Sequence, residues 1–235
     1  MARCRHARRL SDRVGPPGLA RPAARGRSDR HGDQHAEAGD SPAWQGSKEA
    51  EPSAYPWLSG LMPADTYGVT VLRGVRPKQV LRRLGTVEKD LGLRTWRQAS
   101  GFAFHRMHAD YSMPTVVQVT RLGHAVVAYE PVSDRAFFHA HRMTPHALMA
   151  SFITDVDLDT YLKVARHGSL VRKFDPLLTP PRRGALPEER GLHFGARHGN
   201  VFKRSWAFLE RITLTHITRH WFGRPHPTYV LRGRS

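Results

Sequence analysis

Apolar residues recur at every second position through most of the ordered-looking chain, and only towards its end do they take up the spacing of a long helix. In Thr66–Arg73, Tyr67, Val69 and Val71 alternate with Gly68, Thr70 and Leu72 before Gly74 closes the run, which predicts a strand. Pro77 then stands where a first helical turn tolerates a missing N–H. Val80, Leu81 and Leu84 follow at helical spacing, with Arg82 and Arg83 directed outward and Gly85 as the C-cap. Residues 86–113 show no clear period and read as an irregular excursion. Thr115–Leu122 and Ala125–Glu130 are rich in β-branched residues and meet at Gly123-His124, the pattern of an antiparallel hairpin. Thr144-Pro145-His146-Ala147-Leu148 predicts the start of a short helix. Ala150–Val156, Thr160–Ala165 and Ser169–Phe174 alternate again, with His167-Gly168 at the last turn, and predict a meander. Asp175-Pro176 ends it, and the Pro and Gly of Leu178–Gly191 predict a loop. The final element predicted is one helix over about Val201–Phe222. Phe202, Trp206, Leu209, Thr213, Ile217 and Trp221 share its stripe, and Gly223 and Pro225 stop it.

Strands grouped in the middle and a helix at the end predict an α+β fold. It is a single domain over residues 54–235, with a mainly antiparallel sheet, short helices and a C-terminal packing helix. Residues 1–53 are rich in Arg, Gly, Pro, Ala, Asp and His and carry almost no aliphatic period. Such a segment buries too little apolar surface to offset its ordering entropy, so it is predicted to be disordered. A start codon set upstream of the true one would give the same composition. Order should begin near Tyr55-Pro56-Trp57-Leu58, which leaves Cys4 as an incidental thiol.

With 40% hydrophobic residues and one cysteine among 235, neither a disulfide framework nor a multi-thiolate zinc site is open to the chain. No apolar run reaches the roughly 18 residues of a membrane span, and the basic start lacks the apolar stretch of a secretory signal. The expectation is a cytoplasmic protein with no membrane partner and no cofactor. The net charge of +17 needs partitioning. Residues 1–53 hold ten basic and seven acidic residues, +3, which leaves +14 in the remainder. That field would attract a polyanion. Yet 31 of the 37 basic residues are arginine, a skew that a GC-rich genome produces without selection for binding. No zinc finger, RNA-recognition strand signature or basic-zipper pattern accompanies the charge. Arg182, Arg183, Arg197, Lys203 and Arg204 are the candidate nucleic-acid contacts.

Metal and acid–base chemistry have two candidate groups. His216 and His220 stand four apart on the predicted last helix, hence on one face, but Ile217 occupies the place where a zincin carries its glutamate. Asp155 and Asp157, with Asp159, fall on one face of an extended chain. Thr160 and Arg166 stand where a calcium loop needs Gly and an acid, so that motif fails. His139, His141 and His146 beside Asp134, and His105 with His108, are looser clusters. No phosphate-binding glycine loop and no serine or cysteine nucleophile elbow is present, and no catalytic residue is assigned.

Tyr67-Gly68-Val69-Thr70-Val71-Leu72-Arg73-Gly74, then Val80-Leu81-Arg82-Arg83-Leu84-Gly85, Thr120-Arg121-Leu122-Gly123 and Tyr129-Glu130-Pro131 form a recognisable series. Gly168, Phe174-Asp175-Pro176 and Arg182-Arg183-Gly184 with Pro187 continue it. The chain resembles an actinobacterial, Streptomyces-like family of domains of unknown function across most of residues 57–222. It departs at Thr154-Asp155-Val156-Asp157, where similar sequences carry Trp-Asn-Val-Asn, and lacks a Gly-Trp turn between Pro131 and Ala150. The resemblance implies one domain and brings no catalytic residues. The leading expectation is a non-catalytic interaction domain, regulatory or immunity-like, that presents a sheet face or edge to a protein partner. The alternatives are a nucleic-acid-binding module using the basic surface, and a metal-dependent hydrolase built on the Asp and His candidates.

Overall fold

Alternation of apolar side chains on both sides of a strand demands cover on both faces of the sheet, and the helices are distributed accordingly. The structure, a computed structural model, describes residues 52–58, 66–110, 115–139, 145–155, 157 and 159–232. All of them lie in one compact unit, Pro42–Ser235. The disorder expected for residues 1–53 thus falls outside the described residues, apart from Pro52 and Ser53, which open a 3-10 turn at Pro52–Ala54.

The elements are β1 (Tyr67–Arg73), α1 (Pro77–Leu84), β2 (Thr86–Arg94), α2 (Trp96–Asp110), β3 (Thr115–Leu122), β4 (Ala125–Pro131), α3 (Arg135–Phe138), β5 (Leu148–Thr154), β6 (Thr160–Arg166), β7 (Ser169–Phe174), α4 (Val201–Thr213), α5 (Arg219–Gly223) and β8 (His226–Arg232). The strands form one eight-stranded sheet in the order β2-β8-β3-β4-β1-β5-β6-β7. Every neighbouring pair is antiparallel. The fold is α+β.

On the first face, Tyr67, Val69 and Val71 of β1, Val127 and Tyr129 of β4, Phe152 of β5 and Val164 of β6 meet Trp206, Phe208 and Leu209 of α4 and Phe222 of α5. Each fully buried ring such as Phe152 stabilises the fold by roughly 1.5–3 kcal/mol. On the second face, Leu72, Val126, Ala128 and Met149 meet Val80 and Leu84 of α1 and Ala136 of α3. α2 packs through Ala99 and Ala103 on Val116 and Val132, and its Trp96 joins the first-face core against Phe222. Two local devices hold the centre. The buried hydroxyls of Thr70 and Ser151 bond at 2.7 Å across β1 and β5. Gly68 is also required, since a Cβ there would meet the Ser133 carbonyl at 3.0 Å.

Several expectations hold. α1 runs over Pro77–Leu84 with Gly85 after it, the β3–β4 hairpin turns at Gly123-His124, and β5, β6 and β7 form the meander. His167 and Gly168 both take positive φ, 49° and 80°, as a tight hairpin turn requires. Others are corrected. Residues 86–113 contain β2 and α2. β2 is exposed along nearly its whole length, so neither of its faces shows an apolar period. Residues 145–147 form a turn, and Leu148 already pairs with Arg166 as the first residue of β5. The predicted helix over Val201–Phe222 is two helices. Leu214 adopts φ 49° and ψ 42° and caps α4, and the Thr218 hydroxyl accepts from Trp221 N–H to start α5. β8, an interior strand lying between β2 and β3, went unrecognised because Pro227 interrupts its short apolar run.

Candidate functional site

Two of the four candidate metal ligands, Asp155 and His216, are occupied by local structure. Asp155, in the β5–β6 connection, accepts the N–H of Asp157 at 3.1 Å and of Asp159 at 2.9 Å on Oδ1, and its own N–H donates to the Asp159 carbonyl at 3.2 Å. Its carboxylate closes a turn, and Asp157 is exposed beside it. His216 and His220 do not share a helix face: the first lies in the α4–α5 linker and the second in α5. His216 donates from Nδ1 to Glu210 Oε2 at 2.8 Å, while Glu210 Oε1 accepts the Ile217 N–H at 2.6 Å. Burial raises the Glu210 pKa, and the Tyr55 hydroxyl, the Ile217 N–H and His216 oppose that rise. The pair ties the linker to the end of α4. Among the described residues no three His, Cys, Asp or Glu side chains converge as a metal site.

Three of the arginines have clear structural roles. Arg172 grips Glu189 with two bonds, at 2.8 and 2.9 Å, and donates to the carbonyls of Pro181 at 2.9 Å and Arg183 at 3.2 Å. Arg211 donates to the carbonyls of Glu188 and Arg190, and Arg166 reaches Glu188 at 3.4 Å. These three guanidiniums fasten the segment between β7 and α4, whose only regular structure is two single-turn 3-10 helices, Pro187–Glu189 and Ala196–His198. Of the candidate nucleic-acid residues, Arg182 and Arg183 are exposed at the turn that Arg172 holds. Arg197 is exposed near the start of α4, Lys203 lies in its first turn, and Arg204 bonds the carbonyls of His198 and Gly199. They form two groups, and Arg204 is committed to its own backbone.

Cationic surface occurs elsewhere. A hollow of about 530 Å³ between α1 and β2 is lined by Arg76, Lys78, Gln79, Leu81, Arg82 and Val87. The most developed surface lies on the second face at β6 and β7, where, among the described residues, only the C-terminal end of α3, Phe137 and Phe138, reaches the strands. Lys163 and Lys173 are direct partners across the β6–β7 pair. The Lys163 ammonium donates to the Phe137 carbonyl at 2.7 Å and stands 3.9 Å from the Phe137 ring centroid. Lys173 stands 5.0 Å from the Tyr161 centroid and 5.9 Å from that of Phe137. Burial and the charge of Lys173 lower the pKa of Lys163. Among the described residues no carboxylate pairs with either ammonium. Phe138 is 57% exposed and packs edge-on against Phe137 at 5.6 Å. Leu170 and Val171 of β7 are exposed at 59% and 38% on the outermost strand.

α3 joins this surface to the sheet. Glu130, 1% exposed, accepts the Ala136 N–H at 2.8 Å and the Ser133 hydroxyl at 3.3 Å, fixing the start of α3, while Lys163 fixes its end. Burial pushes the Glu130 carboxyl up to about 7, against the opposing pull of the Ala136 N–H and Ser133. Sequence reasoning missed Glu130, Tyr161, Lys163, Lys173 and Phe138. The usable signal was present: Tyr161 and Lys163 alternate on β6, and Lys163 and Lys173 are two of only six lysines beside 31 arginines.

Comparison of the chain with protein-family models, curated proteins and solved structures gives no match. Among the described residues no helix is long and apolar enough to cross a membrane.

Proposed function

We propose that the chain is a non-catalytic interaction domain that engages its partner through the second face of the sheet at β6 and β7. The observation that carries this reading is the juxtaposition of the paired Lys163 and Lys173 with the exposed Phe138 at the end of α3, whose ring centroid lies 5.8 Å from the Lys163 ammonium, while Leu170 is exposed on the edge strand β7. Lysine alone is ordinary at a solvated edge, but exposed apolar side chains beside it are what a binding surface needs. Asp155 and His216 serve a turn and a linker instead, which supports binding over hydrolysis. A cytoplasmic setting, a regulatory or immunity-like role, and membership of the actinobacterial family of unknown function belong to the same proposal. A protein partner with an acidic segment and a nucleic acid are both polyanions that suit such a face.

The test compares the wild type with K163E/K173E for binding of poly-L-glutamate and of an oligothymidylate at low salt. At least one should bind the wild type and lose tenfold or more in affinity on charge reversal. Binding indifferent to the reversal, or turnover of a substrate that D155A or H216A abolishes, would contradict the proposal.

A further inference from the structure

The β6–β7 face carries a more specific statement about its ligand, which rests on the interaction reading above. Two ammonium groups directly opposite one another on adjacent strands repel, and such a pair is destabilising unless something compensates it. Lys163 and Lys173 are such a pair, and both lie beside the Phe137 ring, at 3.9 and 5.9 Å. Only six of the 37 basic residues are lysine, and two of those six meet here. Nucleotide composition that favours arginine does not account for them. A lysine ammonium is a compact point charge with three donors, and Lys163 directs one of them to its own protein, at the Phe137 carbonyl.

The aromatic neighbours decide between polyanions. Tyr161 is half-buried under Lys173, and Phe138 leaves more than half its surface in solvent while its edge is steadied by Phe137. A carboxylate peptide gains little from an exposed ring, and a duplex keeps its bases stacked on one another. Unpaired bases stack on such rings while cations track their phosphates.

We propose that the β6–β7 face binds single-stranded nucleic acid, with a phosphate seated between Lys163 and Lys173 and a base stacked on Phe138.

Fluorescence anisotropy on the full chain tests this with labelled twelve-nucleotide oligothymidylate, a twelve-base-pair duplex and poly-L-glutamate over a range of salt. The single strand should bind tightest. One neutralised phosphate contributes about 0.7 to the salt slope of a single strand, so K163Q/K173Q should lose about 0.7 and the exposed K173Q alone a part of it. F138A should weaken the single strand about tenfold and leave poly-L-glutamate unchanged. Urea unfolding of each variant separates lost binding from lost folding, and K173Q and F138A alter exposed side chains. If poly-L-glutamate binds as tightly as the single strand and the lysine variants weaken it, the nucleic-acid inference fails while the interaction reading stands. If the strand binds with a slope that the lysine variants leave unchanged, this site is overturned. If no polyanion binds, both readings are.

Discussion

Replacing Glu130 by glutamine should make the protein more stable in mild alkali and leave it little changed in acid. Burial holds this carboxyl at about 7 against an ordinary 4.5, so between those values the folded chain keeps a proton that the unfolded chain has released. Stability from this group is therefore complete below 4.5, falls as the pH rises towards 7, and stays low above it. At about 1.4 kcal/mol for each pH unit, the loss by pH 8 is about 3 kcal/mol. Glutamine retains an acceptor for the Ala136 N–H, now at 2.8 Å, and adds an amide that can bond the Ser133 hydroxyl, but it has no charge to desolvate. The assay is urea unfolding of wild type and E130Q from pH 5 to 8.5. Subtracting one curve from the other cancels groups common to both, such as His226, whose pKa burial lowers. The difference should grow in favour of E130Q by about 3 kcal/mol across the range. A difference independent of pH, or a variant less stable than wild type at pH 8, would refute the argument.

Removing the guanidinium in R172A leaves Glu189, 9% exposed at its side chain, without its charge partner and two carbonyls without their donor; a loss of about 3 kcal/mol and faster tryptic cleavage at Arg182 and Arg183 are expected by denaturation and limited proteolysis. E210A should cost about 2 kcal/mol in urea unfolding, through the lost Ile217 and His216 bonds, with E210Q costing less because an acceptor for Ile217 N–H remains. The Ser205 hydroxyl is buried in α4 with no partner among the described residues, so S205A should be neutral or raise stability by about 1 kcal/mol in the same assay.

The fold was legible where β-branched residues concentrate between turn residues or where caps bracket a helix. β1 and the β3–β4 hairpin announce themselves through Val and Thr, β7 follows the His167-Gly168 turn, and Pro77 and Gly85 bracket α1. β2 was hidden because solvent reaches both of its faces, and β8 because Pro227 sits in a run whose partners, β2 and β3, are more than a hundred residues away in the chain. The break after α4 was hidden for a different reason. Ile217 and Trp221 continue a helical spacing by coincidence, while the left-handed turn at Leu214 is stabilised by Glu210, a contact with no local sequence signature. The site was less legible than the fold. Asp155, His216 and Arg204 look like ligands as residue types, yet their partners are backbone groups and one buried carboxylate. Lys163 and Lys173 are ten residues apart and become neighbours only through the register of the β6–β7 hairpin.

Amide hydrogen exchange of the full chain with and without saturating oligothymidylate addresses the central claim most directly. New protection concentrated in Tyr161–Lys163, Leu170–Lys173 and the Phe137–Phe138 turn of α3 is the result expected if the second face at β6 and β7 is the binding surface. Protection confined to Arg182–Arg183 and Arg197–Arg204, or to the linker that carries His216, would place binding elsewhere and contradict it.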